Sequence, residues 1–211
     1  MKDSLVITGD INGFTQLTPR DREFLIQSTS DLMGLWRTSK NARIFRGDSF
    51  QMLFTDAGEA MKRSIQLRCW FKKSNLSEKI MLDARMSIGA GEVAYMGESV
   101  LDSDGEAFHR SGRGFDMMES DEFLKIITGQ EAIDKQLHVI CRLMDIIISG
   151  WTRNQAEVIY MVLEDKTQQQ IADELKVVQS AVNNRLKLAH WKHIEKTILY
   201  ISNLMEQNGI N

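Results

Sequence analysis

Apolar and polar residues alternate along the N-terminal half of the chain in patterns typical of short strands. The apolar run at residues 5–11 is rich in β-branched side chains and ends at a glycine turn, which predicts a buried strand. The strict alternation at 82–88 predicts a half-buried strand. Two apolar runs at 42–45 and 49–54 flank the pair Gly47-Asp48, which predicts a β-hairpin.

Between these predicted strands, the sequence pattern predicts helices. Thr18 and Pro19 suit the cap and the first position of a helix that extends to about residue 40. A second helix is predicted at 56–70. The order strand, helix, hairpin, helix, strand makes up most of a βαββαβ ferredoxin-like unit. A further short helix at 105–118 and a strand at 123–128 are expected after it.

The pattern of apolar residues predicts helices throughout the C-terminal part of the chain. A long helix is predicted at 130–149, where apolar residues recur with heptad spacing, so that it is either a core helix or a connector or dimer helix. Gly150 then breaks the pattern. The predicted division is an α+β domain at 1–129, a connecting helix at 130–150 and an all-α domain at 151–211.

Three short helices in the last domain have the spacing of a helix-turn-helix. Thr152 and Thr167 cap the first two helices, and a break at 176–178 precedes the third. This segment resembles region 4 of sigma factors and the DNA-binding domains of response regulators. The third helix is therefore expected to offer amide, hydroxyl and cationic groups to base edges and phosphates from Gln179, Ser180, Asn183, Asn184, Arg185 and Lys187.

Composition and charge narrow the class of protein. The chain has 211 residues, 43% of them hydrophobic and 26% charged, as expected for a globular protein. The net charge of −3 argues against a protein that coats nucleic acid by bulk charge. No apolar stretch is long enough for a membrane span, and the two distant cysteines are expected to be free thiols. A cytoplasmic location is expected.

Four N-terminal segments resemble the motifs of class III nucleotidyl cyclases. In chain order they are GDINGFT at 9–15, RGDSFQMLF at 46–54, MSIGAG at 86–91 and GEAFHRSGR at 105–113. Together with the helix-turn-helix, the pattern looks closer still to small bacterial SatD-like proteins. The resemblance implies a cyclase-type ferredoxin-like domain that forms a homodimer.

The resemblance also implies a site for metal and phosphates. Asp10 and Asp48 match the carboxylates that hold the divalent metal, here Mg²⁺ or Mn²⁺. Gly13, Phe14 and Thr15 match the turn whose backbone amides contact the phosphates of the nucleotide.

The remaining family positions concern the base, the ribose and the reaction. Asp102 matches a carboxylate that contacts the base, and Arg113 matches the arginine that stabilises charge in the transition state. His109 stands where the family has an asparagine that positions the ribose, and it is the second catalytic candidate. Ile44 replaces the lysine that reads the base.

Three functions are compatible with these patterns. We expect a DNA-binding transcriptional regulator whose N-terminal domain is a sensor and dimerisation module that binds a nucleotide and a divalent metal, without catalytic turnover. One alternative is an active nucleotidyl cyclase or nucleotide-processing enzyme with altered base selectivity. The other is a protein-interaction module with a degenerate cyclase scaffold.

Overall fold

A computed structural model of the protein describes residues 4–36, 41–76 and 80–210. Within these ranges the chain is an α+β protein with one mixed five-stranded sheet, a small two-stranded sheet and eight α-helices. The strands are β1 (Ser4–Asn12), β2 (Ala42–Phe45), β3 (Ser49–Phe54), β4 (Asp83–Gly91), β5 (Val93–Tyr95), β6 (Asp104–Gly105) and β7 (Leu124–Ile127). The helices are α1 (Pro19–Leu35), α2 (Ala57–Lys72), α3 (Glu106–Asp116), α4 (Glu131–Ser149), α5 (Arg153–Leu163), α6 (Gln168–Leu175), α7 (Gln179–Leu188) and α8 (Trp191–Gln207).

The main sheet has the strand order β2-β3-β1-β4-β7. Neighbouring strands are antiparallel except β4 and β7, which are parallel. Because side chains alternate across a strand, one face carries Leu5, Ile7 and their neighbours into the main core with α1 and α2. The opposite face carries Val6 into a smaller cluster beneath α3.

The predicted elements agree with this arrangement, with two differences. Helix α1 ends at Leu35, and the rest of its predicted length, at 37–40, lies outside the described residues. The hairpin of β5 and β6 was not predicted, because three and two residues are too short to produce an alternating pattern.

Helix α3 lies unusually close to β4. A Cβ atom on Gly89 would stand 2.2 Å from the amide nitrogen of Ser111, and one on Gly114 would stand 2.3 Å from the hydroxyl of Ser87. Both contacts are too short for any side chain. The glycines of the strand and of the helix therefore allow the backbones to approach, and this fixes α3 over the centre of the sheet.

The helices α5, α7 and α8 continue the core that the sheet and α2 begin. Helix α2 packs on the sheet with one side and on α5 and α8 with the other, and its buried residues lie all around the helix. One cluster of buried side chains runs from Leu5 in β1 to Ile210 beyond α8. The expected boundary at Gly150 is thus spanned by a continuous hydrophobic core.

Helix α4 belongs to this core, as the first of its two sequence interpretations predicts. Leu137 and Met144 are buried, and the helix packs against β7 and α8. Its outer side nevertheless exposes an apolar stripe of Val139, Leu143 and Ile146.

A buried cluster of four charged side chains joins α2, β4 and α4. Arg68, which is fully buried, donates to both carboxylate oxygens of Asp83 at 3.0 and 2.9 Å and to Asp145 at 2.5 Å. Lys72 lies 3.1 Å from Asp83. Burial lowers the pKa of Arg68, and the two carboxylates more than offset that effect, so the guanidinium stays charged.

The other oxygen of Asp145 accepts the backbone amides of Phe123 and Leu124, where β7 begins. Helix α4 is thereby tied to both α2 and the sheet.

Cys69 and Cys141 are buried free thiols, as the sequence predicts. No helix in the described part of the chain combines the length and the apolar composition that a membrane crossing requires.

Candidate functional site

The two aspartates of the implied metal site lie at the same end of the sheet. Asp10 is near the end of β1, opposite Ser49 of β3 and Arg85 of β4. Asp48 precedes β3 directly, and its carbonyl oxygen accepts the amide of Ile11 at 3.1 Å. The hairpin turn between β2 and β3 therefore brings the second aspartate beside the first.

The carboxylate of Asp10 is in an unusual environment. Its Oδ1 atom is buried and has no hydrogen-bond partner among the described residues. Burial raises the pKa of Asp10 above its ordinary value, Arg85 opposes this shift, and the nearby charge of Asp48 adds to it. Such an unpaired buried oxygen lowers the free energy of unfolding unless a further group binds it.

No group of three or more His, Cys, Asp or Glu side chains in the described ranges is arranged to hold a metal ion. Two carboxylates with one orphaned oxygen nevertheless match what Mg²⁺ takes from a protein when phosphates and water complete its coordination. Arg85 is the competing cation, and it already donates to the carbonyl oxygens of Glu119 and Glu122 at 3.2 Å.

The expected phosphate-binding turn is a short 3-10 helix, Phe14–Gln16, that follows Gly13. Gly13 has a φ of 89°, which favours glycine. The first amides of such a turn have no partner within it, so those of Phe14 and Thr15 are suitable donors to an anion.

A cavity of about 440 Å³ opens beside this turn. It lies between Phe14 and Gly47, the residue before Asp48, and α1 forms its other wall. Arg22 of α1 lines it, with the guanidinium carbon 5.6 Å from the centre of the Phe14 ring. One of its terminal nitrogens donates to the carbonyl oxygen of Thr15, while its buried Nε has no partner among the described residues.

The candidates for base, ribose and catalytic contacts lie on or near α3, and they are exposed. The Nε of Arg113 donates to the carbonyl oxygen of His109 on its own helix at 3.2 Å. His109 contacts Asp104 at 2.9 Å. Asp102 accepts the hydroxyl of Ser99 at 2.8 Å. Within the described part of one chain, no hydrogen bond or ion pair joins these groups to Asp10 or Asp48.

The second candidate site is the surface of α6 and α7. The start of α6 carries a reciprocal cap: the Thr167 side chain accepts the amide of Gln170, whose side chain accepts the amide of Thr167. Lys176 follows the last residue of α6 and has a left-handed φ of 54°. The amide of Val177 then donates to the carbonyl oxygen of Ala172 at 2.9 Å. This tight turn sets the angle between α6 and α7.

Helix α7 buries Val182 and Leu186 and turns its polar side outward. Among the candidate DNA contacts, Asn183 is half-buried, and Gln179, Ser180, Asn184 and Lys187 are exposed. Arg185 is half-buried and leans towards Glu157 of α5, with 3.9 Å between the charged atoms. Five of the six candidates therefore remain available to a ligand, and Arg185 also has an internal contact.

No protein-family model matches the chain, and no curated protein sequence matches it. The roles of these residues are therefore argued from their chemistry and their positions. Sequence reasoning missed Arg22 and Arg85. Their relevance depends on packing between distant segments, such as the pairing of β1 with β4 that places Arg85 opposite Asp10.

Proposed function

We propose that the protein is a DNA-binding transcriptional regulator that reads base edges with α7. The observation that carries the proposal is the row of exposed amide, hydroxyl and ammonium groups along one side of α7. The short capped helix α6 and the left-handed turn after it hold α7 in place. Asparagine and glutamine amides pair with adenine in the major groove, and lysine suits guanine or phosphate. The helices α5–α8 act in this proposal as a helix-turn-helix domain.

The fold of the first half supports its proposed assignment to the cyclase type. The order β2-β3-β1-β4 with antiparallel neighbours is what a βαββαβ ferredoxin-like unit produces. We propose that the whole chain is a SatD-like protein and that this cyclase-like unit is its sensor. Asp10 and Asp48 would bind Mg²⁺ or Mn²⁺, the turn at Phe14 would bind phosphates, and the adjacent cavity would receive part of a nucleotide.

The apolar stripe of Val139, Leu143 and Ile146 on α4 supports a homodimer, because soluble proteins seldom leave such a stripe uncovered. A two-fold dimer would present two copies of α7 to successive turns of the DNA major groove. A cytoplasmic location belongs to the same proposal, because the protein would have to meet DNA there.

The test of DNA binding uses sequences selected by the full chain from random duplexes. Replacing Asn183 and Asn184 by Ala should reduce the preference for the selected over a shuffled duplex, while affinity for the shuffled duplex stays nearly constant. Asn203→Ala, an exposed asparagine on α8, is the control. An unchanged preference in the double variant would refute the role of α7, and loss of binding to both duplexes would point to misfolding or to phosphate contacts.

One observation favours an enzyme as the second candidate. The orphaned oxygen of Asp10 beside Asp48 is suited to a metal that neutralises the phosphates of a nucleoside triphosphate. A dimer would have to bring Arg113 of one subunit to the aspartates of the other. Turnover of ATP or GTP with Mg²⁺ or Mn²⁺ that Asp48→Asn abolishes would establish this reading, and absence of turnover with the common triphosphates would exclude it for those substrates.

Binding of ATP and GTP can be measured independently by calorimetry. Metal-dependent binding that Asp48→Asn removes, without turnover, is the result expected for a sensor. If neither nucleotide binds and no DNA sequence is selected, the protein-interaction module becomes the better description.

A further inference from the structure

A groove of about 670 Å³ borders the proposed recognition helix. Residues at the starts of α6 and α8 and residues of α7 line this groove. Asn183 and Lys187, which belong to the proposed base-reading side of α7, also line the groove. The groove and that side of α7 are therefore one continuous surface.

The groove is predominantly basic. Lys187 and Lys192 line it, both are exposed, and neither has an acidic partner among the described residues. His190 and His193 add ring nitrogens to the same wall. Glu195 is the only acid among the described lining residues. This concentration of cations contrasts with the net charge of −3 for the whole chain, so the groove is a local exception.

The corner between α7 and α8 is held firmly. The indole nitrogen of Trp151 donates to the carbonyl oxygen of Ala189 at 2.8 Å, and the ring packs edge-on against Trp191 with centroids 6.3 Å apart. His190 adopts a left-handed φ of 53° and turns the chain into α8. The backbones of the two helices that carry the cations therefore meet at a fixed angle before any ligand arrives, which reduces the entropy lost on binding.

We propose that this groove holds the phosphate backbone of a DNA duplex while α7 contacts the bases. The inference rests on the proposed DNA-binding function and extends the proposed contact surface from α7 to α8, with Lys192 as the main new contact. Lysine and histidine donate to phosphate oxygens, and such contacts position the protein without reading sequence. The groove should therefore determine affinity and salt dependence, and the outer side of α7 should determine sequence preference.

The test compares Lys192→Gln with Lys135→Gln. Both changes remove one charge from an exposed lysine, but Lys135 lies on α4 and lines a different cavity. The probes are a selected 24-base-pair duplex and its shuffled counterpart, titrated by fluorescence anisotropy at several KCl concentrations. Circular dichroism of each variant confirms that it is folded.

For Lys192→Gln we expect the affinity for both duplexes to fall by about eightfold at 0.1 M salt. The reason is that each phosphate contact contributes about −0.9 to the slope of log affinity against log salt, and this variant loses one contact. The slope should become shallower by about 0.9. The ratio of the two affinities should not change. Lys135→Gln should match the wild type.

Several results would overturn the inference while leaving DNA binding intact. They are an unchanged slope for Lys192→Gln, an equal loss for Lys135→Gln, or a loss confined to the selected duplex, which would make Lys192 a base contact. Equal affinity for an RNA duplex of the same sequence would overturn the commitment to DNA. If the wild-type protein binds no duplex, the proposed function itself fails and the groove fails with it.

Discussion

The buried cluster around Arg68 gives a sharp prediction about stability. Changing Asp145 to Ala removes the acceptor of one Arg68 nitrogen and of the two backbone amides that begin β7. Both charged partners are almost fully buried, with side-chain exposures of 0% for Arg68 and 4% for Asp145. Water therefore cannot easily replace the lost contacts.

The expected cost is about 4 kcal/mol. Removing one partner of a buried ion pair costs about 3–5 kcal/mol. Here Arg68 keeps Asp83, but Asp83 is then the single carboxylate facing both Arg68 and Lys72, so the buried cluster is left with one net positive charge. Each unsatisfied amide costs about 1–3 kcal/mol on its own, but one carboxylate makes all of these contacts, so the amide terms do not simply add to the ion-pair value. At a typical urea dependence of about 2 kcal/mol per molar, the unfolding midpoint should fall by about 2 M.

Asp121→Ala is the matched control. Asp121 also makes two hydrogen bonds to one arginine, Arg142, at 3.1 and 2.6 Å, but its side chain is 68% exposed. Its unfolding midpoint should stay close to that of the wild type. Asp145→Asn, which keeps the shape and one acceptor, should lie between the wild type and Asp145→Ala and can be measured if the alanine variant does not fold. Equal midpoints for Asp145→Ala and Asp121→Ala would refute the reasoning.

Three further predictions concern single positions. Asp10→Asn should raise the free energy of unfolding at neutral pH, because burial raises the pKa of Asp10 and the charged form is disfavoured in the folded state; in urea titrations the gain should shrink as the pH falls from the raised pKa of the folded state towards the ordinary aspartate pKa, and it should be absent below that value, where both states bind the proton. Lys176→Gly should stabilise the protein by about 0.5–1 kcal/mol in the same assay, because Lys176 has a left-handed φ of 54°; a loss would contradict this. Cys69 and Cys141 should react with a thiol reagent only as fast as the protein opens, since burial raises the pKa of both thiols; rapid labelling of folded protein would contradict their burial.

The local features of the fold could be predicted from the sequence because short-range chemistry determines them. The alternation in β4, the glycine turn between β2 and β3, and the caps of Thr152 and Thr167 at helix starts all act within a few residues. The structure has the same features at the same positions.

The long-range contacts could not be predicted in this way. Arg68 and Asp145 lie 77 positions apart along the chain, and nothing near either one indicates that they pair. The contact of Arg185 with Glu157 and the place of Arg22 beside the cavity depend equally on packing between distant helices. The candidate metal site was foreseen from motif resemblance, and the orphaned oxygen of Asp10 emerged only from the three-dimensional arrangement.

The position of α2 between the sheet and the C-terminal helices also bears on how the chain folds during synthesis. The ribosome releases the sheet strands and α2 well before α5 and α8, which cover the outer side of α2. Until those helices emerge, Trp70 lacks its contact with Tyr160 of α5, whose ring centroid lies 5.8 Å from its own. The nascent chain therefore exposes an apolar side of α2, to which chaperones can bind. Its N-terminal half completes its packing only after the C-terminal helices have been synthesised.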